Sequence, residues 1–149
     1  KESLFGSIQD YLEDSIVLDL FAGSGNLGIE ALSNYAKECY FVDNNKIAIN
    51  TINSNLNKIG ISSNVLNKDF KEALNYFKDN NIKFDIVFLD PPYKNECLDY
   101  VLNYIYDNEL LTSGGIVVCE IDNLYLSFNN YEKIKEKKYG DKYIVIYKK

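Results

Sequence analysis

The chain has 149 residues, of which 46% are hydrophobic, and its formal net charge is −6. This length supports one substantial core, and no apolar run approaches the roughly 20 residues that a membrane-spanning helix needs. We therefore expect a single domain over residues 1–149, cytoplasmic, monomeric and without membrane association. Because the chain contains no Met, we also expect the domain to be truncated at its N-terminus.

The chain contains no His, which excludes imidazole-based catalytic triads and removes the commonest metal ligand. Its three Cys residues are widely spaced and form no CxxC pair, which argues against a disulfide framework and against a zinc site. We expect no metal. Cys39 and Cys119 lie in apolar runs, so we expect both to be small buried side chains.

Strand-like and helix-like segments alternate along the chain. Apolar runs predict strands at 16–21, 39–42, 64–66, 84–89 and 116–121, and helical spacing predicts helices at 26–36, 48–59, 70–77 and 98–105. Continuous apolar runs are typical of parallel strands that are buried on both faces. The segments 131–138 and 143–147 flank Gly140-Asp141 and predict an antiparallel hairpin. The order predicts an α/β fold with an open, mostly parallel sheet, helices on both faces and a C-terminal hairpin.

A glycine-rich turn, Gly23-Ser24-Gly25-Asn26-Leu27-Gly28, follows the first predicted strand. This GxGxxG pattern lets the backbone approach a ligand closely, but it serves dinucleotides as well as S-adenosylmethionine, and a purely structural turn stays open. Asp43 ends the second strand, where a carboxylate can accept both hydroxyls of an adenosine ribose. Asp19 precedes the turn, and a carboxylate there suits the ammonium and sulfonium of S-adenosylmethionine better than a pyrophosphate. These two acids favour S-adenosylmethionine over a dinucleotide.

Asp69 and Phe70 follow the third predicted strand at the same sheet edge. Asp69 can accept from an adenine amino group and Phe70 can pack on the ring, although Asp69 can equally cap the next helix. The candidate cofactor-binding residues are Asp19, Phe21, Gly23, Gly25, Asn26, Asp43, Asn44, Asp69 and Phe70.

The turn Asp90-Pro91-Pro92-Tyr93 follows the fourth predicted strand, at the edge where open α/β sheets bind ligands. The prolines lack N–H groups, so their carbonyls and Asp90 form a rigid acceptor cluster that matches an NH₂ group. Tyr93 adds a ring on which a base can stack. Acceptors that hold the two amine protons direct the nitrogen lone pair toward a methyl donor. We therefore predict that Asp90, Pro91, Pro92 and Tyr93 are catalytic; a structural proline turn is the alternative.

The C-terminal region is basic although the chain is acidic. From Tyr131 onward, seven Lys stand against three acidic residues, so this region carries +4 and the rest of the chain −10. Such a tail can contact phosphate, or it can be a solvated edge hairpin that its lysines protect from aggregation.

These residues resemble class I methyltransferases that act on amino groups, and above all the RsmD family of 16S rRNA guanine-N2 methyltransferases. The resemblance rests on the segments 1–5, 18–25, 28–32, 41–43, 89–93 and 137–141. It implies a Rossmann-like fold, S-adenosylmethionine as the cofactor, and methylation of a guanine of the guanine 966 type in 16S rRNA or the small ribosomal subunit. It would place the guanine amine against Asp90 and Pro91.

Members of the RsmD family carry a basic N-terminal extension before the segment that matches residues 1–5, so we expect this domain to keep the cofactor pocket without the full grip on RNA. Two other readings stay open at this point. One is an amino methyltransferase that acts on adenine N6 in DNA or on a protein glutamine. The other is a cofactor-binding module without activity. A dinucleotide-dependent oxidoreductase is disfavoured by the acidic loop entry and by the proline turn.

Overall fold

The computed structural model describes residues 2–91, 94–122, 128 and 130–149. Within these residues the helices and strands follow one another as α1 (Glu2–Ser7), α2 (Gln9–Leu12), β1 (Ile16–Asp19), α3 (Asn26–Ser33), β2 (Glu38–Asp43), α4 (Lys46–Ile59), β3 (Asn64–Asn67), α5 (Phe70–Asp79), β4 (Phe84–Leu89), α6 (Lys94–Asp107), β5 (Leu111–Ile121), β6 (Glu132–Tyr139) and β7 (Lys142–Lys148). None of the described helices has both the length and the apolar character that crossing a bilayer requires.

The strands form one sheet in the order β3-β2-β1-β4-β5-β7-β6. Strands β1 to β5 are parallel, β7 runs antiparallel to β5, and β6 runs antiparallel to β7. This topology confirms the predicted mostly parallel α/β sheet with a C-terminal hairpin. The strand order reverses between β1 and β4, and ligands of open α/β sheets bind outside the carboxyl ends of the strands at such a switch point.

Helices cover both faces of the sheet because the parallel strands carry apolar side chains on both sides. Leu18 and Val87 face a core formed with α5 and α6, whereas Val17 and Ile86 face a second core formed with α1 to α4. All four side chains are fully buried, and each contributes roughly 1.5–3 kcal/mol by leaving water. The two cores hold the strand ends in a fixed arrangement, which positions the loops that follow them.

Three local features differ from the sequence prediction. The short helices α1 and α2 were not predicted, and α6 begins at Lys94, ahead of the predicted start at residue 98. Gly114 and Gly115 precede the strand predicted at 116–121, but they lie inside β5, where the register against β4 shifts between Phe84 and Ile86. Gly114 has a φ of +77°, so the glycines form an irregularity within the strand.

Candidate active site

A cleft of about 600 Å³ opens at the carboxyl ends of β1 to β4. We call it the cofactor cleft. Its lining residues are Leu20, Phe21, Gly23, Asp43, Asn44, Lys68, Asp69, Phe70, Asp90, Pro91, Cys97 and Lys142. Six of the nine predicted cofactor-binding residues are in its wall, because the loops after four parallel strands end at one edge of the sheet.

The glycine turn is held against the end of β2. Gly23 has a φ of +58°, a conformation that glycine adopts without strain, and its N–H donates to Asp43 Oδ2 at 2.9 Å. Asp43 Oδ1 accepts from the N–H of Asn45 at 2.9 Å. A carboxylate has about four lone-pair sites, so Asp43 retains acceptor capacity for the hydroxyls of a ribose.

Asp19 lies beneath the glycine turn and not in the wall of the cofactor cleft. Its side chain is only 3% exposed, and its Oδ2 accepts from the N–H of Gly28 at 3.1 Å. Burial raises the pKa of this carboxyl to about 7; the negative charges of Asp43 and Asp90 act in the same direction, and the Gly28 hydrogen bond opposes them. Asp19 therefore anchors the start of α3 from beneath the turn, whereas the sequence pattern predicted that it contacts a cofactor directly.

Two further predicted residues also lie outside the wall of the cofactor cleft. Gly25 is buried, and a Cβ at this position would lie 3.2 Å from Ile52 Cγ1 and 3.4 Å from Phe41 Cε2. Asn26 is exposed at the first position of α3. Gly25 and Gly28 thus allow the close packing of α3, whereas Gly23 lines the cofactor cleft.

Asp69 caps α5 by accepting from the N–H of Lys71 at 3.1 Å, which confirms the capping interpretation. Because a carboxylate has further acceptor sites, capping is compatible with a contact to an adenine amino group. The Phe70 ring lies 5.3 Å from the Phe21 ring at an interplanar angle of 48°. Together they form an apolar wall that suits a planar ring.

Asp90 and Pro91 follow β4 directly and line the cofactor cleft. Asp90 is exposed and Pro91 is buried. The N–H of Leu20 donates to the carbonyl of Phe88 at 3.4 Å, so the end of β1 is fastened to the end of β4 just before this turn. Pro92 and Tyr93, the other two predicted catalytic residues, lie outside the described residues.

A second cavity of about 430 Å³ adjoins the cofactor cleft on the sheet face that α1 covers. We call it the second cavity. Its lining residues are Leu4, Leu27, Phe88, Leu89, Asp90, Val118, Glu120, Tyr139, Lys142 and Ile144. Asp90 and Lys142 line both spaces, so Asp90 stands at the boundary between them.

Lys142 was predicted only as part of the basic tail. Its Nζ lies 3.5 Å from Glu120 Oε2 and 3.9 Å from Asp122 Oδ1, and the attraction of Glu120 raises the pKa of its ammonium. The hairpin pattern alone could not have found it, because that pattern does not specify which strand the hairpin joins. Since β7 runs antiparallel to β5, its first residues return to the carboxyl end of the sheet.

Comparison with known proteins identifies the family. The family model described as "Conserved hypothetical protein 95", the RsmD family, matches residues 1–148. The chain belongs to this family. Ribosomal RNA small subunit methyltransferase D of Haemophilus influenzae is 34% identical to it over 144 residues, a match that covers 94% of this chain and 75% of that protein. The resemblance to RsmD predicted from the sequence is thereby confirmed.

Solved structures show the same fold. The structure of yhhF from Escherichia coli superposes on this RsmD-family chain with a TM-score of 0.89 at 27% identity, covering 99% of this chain and 83% of the other. The Thermus thermophilus 16S rRNA N2 G1207 methyltransferase, solved with AdoMet and guanosine, gives a TM-score of 0.74 at 20% identity and covers 99% of this chain and 41% of that one. The fold is that of class I methyltransferases.

Proposed function

We propose that the protein transfers a methyl group from S-adenosylmethionine to the exocyclic N2 amine of a guanine in 16S rRNA of the small ribosomal subunit. The observation that carries the proposal is the position of Asp90, in the walls of both the cofactor cleft and the second cavity. A methyl donor on one side and an amine on the other would meet at this residue. The name of the Haemophilus influenzae relative supports the rRNA substrate.

The residues of the cofactor cleft fit S-adenosylmethionine. Asp43 offers acceptors for a ribose, and Phe21 and Phe70 offer an apolar wall for an adenine. The wall contains more Asp than Lys side chains, and this excess of negative charge favours a cation over a pyrophosphate. When bound, S-adenosylmethionine supplies an electrophilic methyl group attached to a sulfonium.

Asp90 and the backbone of the turn position the amine. A guanine N2 amine is a weak nucleophile because its lone pair is delocalised into the ring. Acceptors from Asp90 and the Pro91 carbonyl hold its two protons, turn the lone pair toward the cofactor cleft and stabilise the positive charge that develops on nitrogen. Asp90 is exposed, so a proton released from the methylated amine can pass to solvent.

Two alternatives share the same geometry. An adenine N6 in DNA and a glutamine amide both present an NH₂ group that Asp90 and Pro91 could hold. A module that binds the cofactor without catalysis would use the same cleft. A dinucleotide-dependent oxidoreductase is less compatible with this cleft, because the two phosphates of a dinucleotide cofactor would face the acidic side chains of the wall.

The test is methyl transfer from radiolabelled S-adenosylmethionine to four substrates in parallel: small ribosomal subunits, naked 16S rRNA, duplex DNA and a translation release factor. We expect label in the RNA-containing substrates and N2-methylguanosine after digestion to nucleosides. Label confined to DNA or protein would contradict the proposal. Tight cofactor binding without label in any substrate would favour the binding module.

We also propose that the protein acts as a monomer in the cytoplasm. Light scattering of the purified protein would test the monomeric state, and the mass of a dimer would contradict it. Fractionation of cells that express the tagged protein would test the cytoplasmic location, and recovery of the protein with the membranes would contradict it.

A further inference from the structure

The second cavity contains two charged side chains of opposite sign beside Asp90. Glu120 and Lys142 both line it, with Lys142 Nζ 3.5 Å from Glu120 Oε2. The remaining wall is largely apolar and includes Leu4, Phe88, Val118 and Ile144, three of them at most 8% exposed. A cavity of about 430 Å³ with apolar walls and a few convergent polar groups is typical of a site for one small ligand.

Strand register explains why Asp90, Glu120 and Lys142 come together. Leu89 of β4 pairs with Cys119 of β5, so Asp90, the first residue after β4, lies beside Glu120, which is still within β5. Glu120 pairs with Ile144 of β7, and Lys142 precedes Ile144 by two residues at the same edge of the sheet. A carboxylate of the amine-holding turn, a second carboxylate and an ammonium thus share one wall.

We propose that Glu120 and Lys142 select guanine by reading its Watson–Crick edge, with Glu120 accepting from N1–H and Lys142 donating to O6 while N2 reaches Asp90. This inference rests on the proposed function, since it requires that the second cavity receives the target base. It assigns specificity to two residues, one on β5 and one on β7, that lie outside the glycine and proline turns.

The donor and acceptor pattern of guanine is the one that matches this wall. Its edge presents in order an NH₂ donor, an N1–H donor and an O6 acceptor. Adenine and cytosine carry an unprotonated ring nitrogen next to their amine, which would set a lone pair against the Glu120 carboxylate. An unpaired or repelled polar group in a partly dehydrated site weakens binding of the wrong base.

The discriminating substrate is rRNA in which the target guanine is replaced by 2-aminopurine. This base keeps the 2-amine but has an unprotonated N1 and a hydrogen in place of O6. The wild-type protein should methylate guanine about 10- to 100-fold faster than 2-aminopurine, the range expected for losing one bidentate base contact. Cofactor affinity is measured in parallel by calorimetry.

Two substitutions separate the two contacts. Glu120→Gln exchanges an acceptor for a group that can also donate to an unprotonated N1, so the guanine preference should fall at least 10-fold. Lys142→Met removes the donor to O6, so turnover of guanine should fall about 10-fold more than turnover of 2-aminopurine, which has no O6.

Glu13→Gln is the matched control. Glu13 is exposed on the loop that enters the amino end of β1, whereas Asp90 follows the carboxyl end of β4. This control should keep the wild-type preference. An unchanged preference in both Glu120→Gln and Lys142→Met would overturn the inference, as would a loss of cofactor affinity in Glu120→Gln that matches its loss of turnover. If the wild-type protein methylates no guanine at all, the proposed function itself is contradicted. If it methylates guanine and the two variants keep the wild-type preference, only the specificity inference is contradicted. Thermal unfolding of each variant confirms that folded protein is compared.

Discussion

At the scale of single residues, Asp19 shows how one carboxylate can be central to a site without lining it. The sequence pattern placed it next to the ligand, because it directly precedes the glycine turn. The structure places it under that turn, bonded to the N–H of Gly28 and almost fully buried. Which side of a loop a strand-end side chain faces depends on tertiary packing, and the sequence pattern does not contain that information.

The raised pKa of Asp19 predicts a pH-dependent stability. The folded-state pKa of about 7 lies above the ordinary value of 3.8, so between these values the unfolded chain ionises while the folded protein stays protonated. The free energy of unfolding therefore falls as the pH rises through this window, and the loss is complete above about pH 7. Between pH 5 and 8 this group should remove roughly 2–3 kcal/mol.

Denaturant unfolding of the wild-type protein and Asp19→Asn at pH 5 and pH 8 measures this effect. The chain has no His, so few other side chains titrate in this range. We expect the free energy of unfolding to decline with pH less in the variant than in the wild type. Parallel declines would show that the buried carboxyl does not titrate in this range.

At the scale of secondary structure elements, the parallel strands and their order along the chain were predictable from sequence. Continuous apolar runs indicate strands buried on both faces, and each such strand ends in a loop at the same sheet edge. The sequence pattern therefore predicts that Gly23, Asp43, Asp69 and Asp90 lie at one end of the sheet. The pairing of β1 with β4 places the strand before Asp90 beside the strand before the glycine turn.

The second cavity was not predictable in the same way. Its charged pair depends on the antiparallel register of β7 against β5, and a hairpin pattern in sequence does not specify which strand the hairpin joins. The helices α1 and α2 have 6 and 4 residues, too short to be stable from local propensity alone. They are stabilised by burial of Phe5, Ile8 and Leu12 against the sheet.

Gly28 predicts a steric limit on the packing of α3 against β2. A Cβ at this position would lie 2.4 Å from Phe41 Cε2 and 2.7 Å from Cys39 Sγ, and both of these side chains are fully buried. Gly28→Ala should therefore lower the free energy of unfolding by about 1–3 kcal/mol, even though alanine favours a helix.

Gly6→Ala is the control for this substitution, because a Cβ built on this helical glycine would meet no atom within 4 Å apart from its chain neighbours and the backbone of its own helix. It should leave stability unchanged or raise it by up to about 1 kcal/mol. Denaturant titration compares the two variants. Equal stabilities would refute the steric argument.

At the scale of the whole molecule, charge is divided between a basic C-terminal hairpin and an acidic remainder. The lysines of β6 are exposed on the edge strand of the sheet. Lys137 Nζ lies 5.2 Å from the centre of the Tyr139 ring, and Tyr139 lines the second cavity. This edge can therefore contact the phosphates that flank a base held in the cavity, or it can simply be a solvated strand edge.

The double substitution Lys137→Gln with Lys138→Gln tests whether this strand edge contacts RNA phosphates or is only solvated. If the edge contacts RNA, affinity for rRNA at low salt should fall about 10-fold and the dependence of log K on log salt should become shallower by roughly 0.7 per lost contact. The matched control is Lys58→Gln with Lys78→Gln, because both lysines are exposed and lie in the last turns of α4 and α5, outside the hairpin. Equal losses in both pairs would indicate a net charge effect, and no loss would indicate a solvated edge.

The central claim is that Asp90 holds the accepting amine where the cofactor cleft and the second cavity meet. The most direct measurement compares wild-type protein, Asp90→Ala and the exposed control Asp10→Asn for methylation of small ribosomal subunits and for cofactor affinity. Asp90→Ala should lose at least 100-fold in methyl transfer, the usual scale for removing a positioned transition-state contact, while its cofactor affinity stays within about twofold of wild type. The Asp10→Asn variant should match the wild type in both. Methyl transfer by Asp90→Ala at the wild-type rate would contradict the claim.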